Sequence, residues 1–330
     1  MTTSDKRFVL DVKNLKLYFR TQAGPVQAVD DVSFQLRAGH TLAVVGESGC
    51  GKTSLAKAIL RLLPRNISTY TGSIVFDGKD IMKYDDEKFR REIRWSNIAS
   101  VPQASMNSLN PVIRIEDQLI EPLLIHEKIT RQQARTRVAE VFEVVGLPVD
   151  FLQRYPFELS GGMRQRAIIA MALASKPKLI MLDEPSSALD LLSQANLMNV
   201  LKRIKQETKA TFILITHDIG TASELADEIA VMYAGKMIEY SSAEYFYTDA
   251  HHPYSQKLMA SVPTLREDKN LEFIPGQPPS LINPPTGCRF AARCEKRFEK
   301  CAMEPPTTYL ENGSTVQCWL FDKTGEVKNA

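Results

Sequence analysis

The chain has 330 residues, enough for one large domain and a smaller one. Its 41 basic and 39 acidic side chains leave a net charge of +2, so no global basic field argues for nucleic acid as a partner. The longest unbroken apolar run, 167–174, is flanked by Arg166 and Ser175 and falls well short of the ~20 residues that span a bilayer. The start, Met1 to Arg7, is polar and has no apolar signal core. The expectation is a cytoplasmic protein that serves a membrane process only by docking to another subunit.

Residues 8–45 read as strands with turns between them. Phe8 to Val12 alternates imperfectly, Ala28 to Leu36 alternates apolar and polar residues, and Ala38-Gly39 turns into a buried strand, Thr41 to Val45. Next comes Gly46-Glu47-Ser48-Gly49-Cys50-Gly51-Lys52-Thr53, the spacing G-x-x-x-x-G-K-T of a phosphate-binding P-loop. Ser54 to Leu63 carries apolar residues at helical spacing behind it. A glycine-rich turn before a helix is the plainer alternative, but strand, loop, Lys and Thr together make the motif credible. Its glycines let successive N–H groups face phosphate oxygens, and the helix N-terminus adds partial positive charge. Lys52 would reach the β- and γ-phosphates and the Thr53 hydroxyl would ligate Mg²⁺; the nucleotide-contacting set runs on to Ser54.

A strand, Gly72 to Phe76, ends in the turn Asp77 to Asp80. Ile115 to Ile125 and Gln132 to Val145 have helical periodicity, which suggests a helical insertion over about 106–165. Three buried runs follow: Leu179 to Leu182, Thr211 to Ile215 and Ile229 to Tyr233. A helical stretch, Leu192 to Glu207, separates the first two, which implies a parallel sheet with right-handed crossovers. Lys236 to Tyr240 reads as the second arm of a hairpin at a sheet edge. After about residue 250, prolines accumulate and long helices are not expected; the last residues, from Asp322, are polar and expected to fray.

The run Leu179 to Leu182 ends in Asp183-Glu184, a Walker B segment. Asp183 would meet Mg²⁺ at the strand's carboxyl end, and Glu184 would polarise the attacking water. Read alone, the same residues are an apolar strand with an acidic helix cap. Leu159-Ser160-Gly161-Gly162-Met163-Arg164-Gln165-Arg166 opens a second anion-binding helix N-terminus. Two phosphate-type sites in one chain are one more than one ATP needs.

The second signature resembles that of the ABC-transporter ATPases. That resemblance implies two ATPase domains paired head to tail, with Ser160, Gly161 and Gly162 closing over ATP held by the partner's P-loop. It also implies a sensing role for Gln103, which meets Mg²⁺ and the membrane subunit. Asp190, in Ser187-Ala188-Leu189-Asp190, is similar to the loop that crosses the dimer interface. His217, in Thr216-His217-Asp218, matches the switch histidine of the γ-phosphate. Phe19 aligns with the aromatic that stacks on adenine, Tyr18 being the alternative. The implied fold is α/β: a P-loop NTPase (RecA-like) core with an antiparallel β subdomain and a helical insertion. The expected division is an ATPase domain over 1–250 and a small irregular metal-binding region over 251–330.

That last region, with His252-Pro253-Tyr254, Pro275-Gly276-Gln277-Pro278-Pro279, Gly287-Cys288-Arg289-Phe290 and Arg293-Cys294, resembles the C-terminal extension of oligopeptide and dipeptide importer ATPases. The resemblance implies extended chain wrapping a neighbouring ATPase. Of the five cysteines, Cys288, Cys294, Cys301 and Cys318 crowd here, in a chain whose reducing compartment disfavours disulfides. They lack the tight C-x₂₋₄-C pairs of structural zinc. A [4Fe–4S] cluster accepts looser spacing, and some relatives carry one, so the cluster is the leading reading, with zinc and unligated thiols as alternatives. The implied function is ATP hydrolysis driving import of di- or oligopeptides, with a second, paralogous ATPase, two permease subunits and an external binding protein, at the cytoplasmic face of the membrane. Nickel or oligosaccharide import, a non-transport ABC ATPase, and a module that binds ATP without useful turnover are the alternatives.

Overall fold

The computed structural model describes residues 8–261 and 274–322. The polar start 1–7, Pro263 and the polar end 323–330 lie outside the described residues. In chain order the elements are β1 (Phe8–Thr21), β2 (Gly24–Arg37), β3 (Thr41–Val45), α1 (Lys52–Ile59), β4 (Ile67–Phe76), β5 (Lys79–Asp80), α2 (Asp86–Glu92) and β6 (Ile98–Val101). The helical stretch holds α3 (Ile115–His126), α4 (Arg131–Val144) and α5 (Gly161–Ala174). Then come β7 (Leu179–Asp183), α6 (Leu191–Thr208), β8 (Thr211–Ile215), α7 (Ile219–Ser223), β9 (Glu228–Tyr233) and β10 (Lys236–Ser242). The chain closes with α8 (Ala243–Asp249), α9 (Pro253–Ala260), β11 (Thr307–Tyr309) and β12 (Thr315–Gln317).

These elements divide between two compact units, one holding residues 8–10, 36–41 and 75–215, the other the remaining described residues. In the first unit β6, β7 and β8 form a parallel sheet, with Ala99 opposite Ile180 and Met181 opposite Ile213. Every residue of β7 and β8 is buried, which is why both read as unbroken apolar runs rather than alternating ones. Helices α3, α4 and α5 pack on one another in the same unit. Helix α4 starts on a capping box, where the Thr130 hydroxyl and the Gln133 side chain satisfy each other's backbone N–H groups.

In the second unit β3 pairs in parallel with β9, and β9 pairs antiparallel with β10. The hairpin is as expected, but β10 is not a sheet edge: β12 pairs with it, Glu239 opposite Val316, and β11 pairs with β12. The proline-rich extension therefore packs on its own chain, and a bridge between Val26 and Ile282 adds to this. Three rings knit it in. Tyr233 lies 4.7 Å from Tyr254 and 5.3 Å from Phe290, centroid to centroid, and all three side chains are fully buried.

A metal-binding C-terminal region is not supported. Among the described residues no group of three or more His, Cys, Asp or Glu is placed to hold a metal ion. Cys288, Cys294, Cys301 and Cys318 do line one cavity with His252 and Trp319, but its volume is about 10 Å³, the lower limit for a single water. Burial pushes the Cys318 thiol up to about 12 and raises Cys288 and Cys294 as well. Binding a metal there would have to displace these thiol protons.

Candidate nucleotide-binding and hydrolysis residues

The P-loop belongs to the second unit and joins β3 to α1. Gly51 is left-handed at φ +110°, and a Cβ there would lie 2.0 Å from the Ala28 carbonyl oxygen, so no other residue fits. Lys52 is buried at the start of α1. Its Nζ donates to the Gly46 carbonyl at 2.7 Å and to the Glu47 carbonyl at 2.9 Å, which keeps the ammonium over the loop. Ser48 and Gly49 are exposed, and Thr53 is half-buried. In the same unit the exposed His217 precedes α7, whose N-cap is Asp218: its carboxylate accepts from the Gly220 N–H at 2.8 Å.

Of the two candidate aromatics on β1, Tyr18 is already engaged. Its hydroxyl donates to Asp30 at 2.5 Å, and burial together with that carboxylate raises its pKa far above the usual range. Asp30 also takes Arg289 at 2.5 Å and Lys236 at 3.3 Å. Burial opposes the charge on Asp30, but the Tyr18 hydroxyl and the two cations outweigh it and hold the carboxyl below its ordinary value. Phe19, half-buried, has no such role.

The first unit carries the remaining candidates. Asp183 ends β7 and is buried. Glu184 follows in a left-handed conformation at φ +48°, which turns its side chain off the strand line. Its Oε2 accepts from Gln103 Nε2 at 3.0 Å, so two residues that are 81 positions apart meet. Ser160 is the N-cap of α5, its hydroxyl accepting from the Met163 N–H at 3.3 Å. Asp190 caps α6 in the same way, accepting from the Ser193 N–H at 2.9 Å and the Ser193 hydroxyl at 2.7 Å. Those bonds lower its pKa. Gly162 would set a Cβ 3.3 Å from Ser193 Oγ, which places the signature turn against the start of α6. The buried Gln165 accepts from Ser105 at 3.0 Å and ties α5 to the loop that bears Gln103.

The sequence offered no role for two residues of the extension. Tyr254 accepts a hydrogen bond from the Glu47 N–H at 3.0 Å, and Arg293 pairs with the Glu47 carboxylate. Nothing in the spacing predicts partners more than 200 positions away.

Residues 29–187 match the family model described as ABC transporter, and 238–301 match the one described as oligopeptide/dipeptide transporter, C-terminal region. The dipeptide transport ATP-binding protein DppD of Bacillus subtilis (strain 168) is 43% identical over 323 residues, covering 96% of this chain and 96% of that protein. The chain belongs to the ABC transporter family. The oligopeptide transport ATP-binding protein OppD of Haemophilus influenzae is 41% identical across 94% of this chain and 97% of its own. Among solved structures, a dimeric ATP-binding cassette in a post-hydrolysis state bound to ADP and Pi is similar at a TM-score of 0.63 and 26% identity. It covers 71% of this chain, and the match takes in 98% of that cassette. The P-loop fold of an ABC ATPase, a mixed sheet with helices, is thereby established for this chain. Among the described residues no helix is long and apolar enough to cross a membrane.

Proposed function

We propose that this chain is the ATP-hydrolysing subunit of an importer of di- and oligopeptides. The observation that carries the reading is the pairing of both family matches in one chain, one over the P-loop and Walker B region, one over the extension. Lys52 and the P-loop N–H groups from Ser48 to Ser54 hold the phosphates, and Phe19 stacks on the adenine. Thr53, Gln103 and Asp183 offer a hydroxyl, an amide and a buried carboxylate, a donor set of the hard oxygen type that suits Mg²⁺. The ion, when bound, neutralises charge on the phosphates.

Glu184 accepts the proton of the attacking water. Gln103 orients it through the 3.0 Å hydrogen bond, and His217 donates to the γ-phosphate. Ser160, Gly161 and Gly162, with Asp190 behind them, close over the nucleotide of a paired, paralogous ATPase. The pair sits at the cytoplasmic face of the membrane against two permease subunits supplied by an external binding protein. Glu184→Gln should keep ATP binding and lower turnover by roughly 10²–10⁴-fold, with peptide uptake into reconstituted vesicles lost. Undiminished turnover would remove Glu184 from the mechanism. Copurification of the membrane complex with a single ATPase species would overturn the paralogous pair.

The four cysteines are proposed to hold a [4Fe–4S] cluster when loaded. What supports this is the donor set, four cysteines brought to one small cavity with no carboxylate in its lining, of the kind such clusters use; at about 10 Å³ the cavity must open to admit the cluster. Anaerobic preparation tests it: iron at four per chain and absorbance near 400 nm are expected, and a colourless, iron-free protein ends the assignment.

A further inference from the structure

The P-loop carries a carboxylate of its own. Glu47 is its second residue, and a negative charge beside bound phosphates works against binding unless something removes it. The extension does so. Arg293 forks onto the carboxylate, Nη1 to Oε2 at 2.7 Å and Nη2 to Oε1 at 2.9 Å. Its Nε donates to the Pro275 carbonyl at 2.8 Å, and Nη1 also reaches the Tyr233 hydroxyl at 3.2 Å. The guanidinium side chain is only 5% exposed, so its aim is fixed by these partners. Tyr254, fully buried, takes the Glu47 N–H, and the Glu47 carbonyl in turn accepts from Lys52 Nζ at 2.9 Å.

We propose that Arg293 is a positioning residue for the nucleotide: its fork draws the Glu47 carboxylate out of the phosphate cradle, and with Tyr254 it fixes the carbonyl on which Lys52 rests. The extension is then a brace of the P-loop and not only a docking appendage. The proposal rests on the P-loop being the ATP site.

The test is steady-state ATPase kinetics and ATP binding in the assembled transporter. Arg293→Gln should raise KM for ATP about tenfold with kcat changed by less than about threefold, because an unpaired carboxylate repels phosphate. Adding Glu47→Gln in that background should bring KM back to within about threefold of wild type, a rescue that a merely structural loss does not give. Arg293→Lys keeps the charge but only one contact, and should raise KM about threefold; it serves where Arg293→Gln does not fold. A wild-type KM in Arg293→Gln, or in Arg293→Lys where that variant stands in, overturns the proposal. So does an elevated KM that Glu47→Gln leaves in place. Lys52→Ala separates the two readings: if it binds ATP as well as wild type, the P-loop assignment itself fails.

Discussion

The Asp30 cluster gathers three charged side chains at a buried point of the second unit, and Asp30→Asn isolates what its charge contributes. The side chains of Asp30, Arg289 and Lys236 are 9%, 7% and 11% exposed. Asparagine keeps the shape and can still accept from Tyr18. Among the described residues it removes the carboxylate that pairs with both cations; Glu304, which pairs with Lys236, is 54% exposed. Removing one partner of a buried pair costs about 3–5 kcal/mol because the other charge stays buried. The preserved hydrogen bond favours the lower end, about 3 kcal/mol. At about 2 °C per kcal/mol for a chain of this size, Tm should fall by ~6 °C. Because the folded carboxyl titrates below its unfolded value, the stability it contributes is present above pH ~4 and is lost as pH falls through the folded pKa. Thermal denaturation followed by circular dichroism should therefore show a gap between wild type and variant at pH 7 that narrows near pH 3.5. A Tm within ~2 °C of wild type at pH 7 would refute the reasoning, as would a gap independent of pH.

Two further outcomes are expected. His252 is buried, its Nδ1 accepts from the Tyr254 N–H at 3.0 Å, and burial lowers its pKa to about 3. The unfolded chain takes up a proton near pH 6.5 that the folded chain refuses, so stability from this group is complete above 6.5 and declines below it, by about 1.4 kcal/mol at pH 5.5. His252→Asn keeps a cap acceptor and should remove that decline in urea titrations run at pH 7.5 and 5.5; an unchanged pH dependence counts against the assignment. In the P-loop, Gly51→Ala meets the Ala28 carbonyl at 2.0 Å, whereas a Cβ at Gly49, also left-handed at φ +80°, meets nothing within 4 Å. Gly49→Ala should cost only the backbone strain of about 1–2 kcal/mol, and Gly51→Ala clearly more; equal melting temperatures would contradict the steric account.

The parts of the candidate site that the sequence points to most directly are those whose chemistry is local. A phosphate cradle needs glycines and a lysine within eight residues, and a Walker B acid must follow a buried strand directly, so Lys52, Asp183 and Glu184 declare themselves by spacing. The N-caps at Ser160 and Asp190 are equally short-range. Less local features were read poorly. Strand β4 begins at Ile67, five residues before the apolar segment that revealed it, because its first half is only partly buried. Helix α2 went unread, since Phe89 is its one buried residue. Helix α1 ends at Ile59 rather than Leu63, where Arg61 turns left-handed. Strands β11 and β12 are three residues each and exist only because β10 offers them an edge, a fact stored in another part of the chain.

The extension gives the sharpest instance of this limit. A small segment with few large apolar residues gains from a metal staple. The structure supplies other fastenings: Phe290 in a ring cluster with Tyr233 and Tyr254, Arg289 on Asp30, Arg293 on Glu47, and two strands added to a sheet. Each joins a residue after 280 to one before 255, and each uses a side chain that reads as ordinary by itself. Cys288 and Cys294 are the immediate neighbours of the two anchoring arginines. The contacts of Arg289, Arg293 and Phe290 fasten the extension through the chain's own side chains, so a metal is not needed to explain how the segment is held.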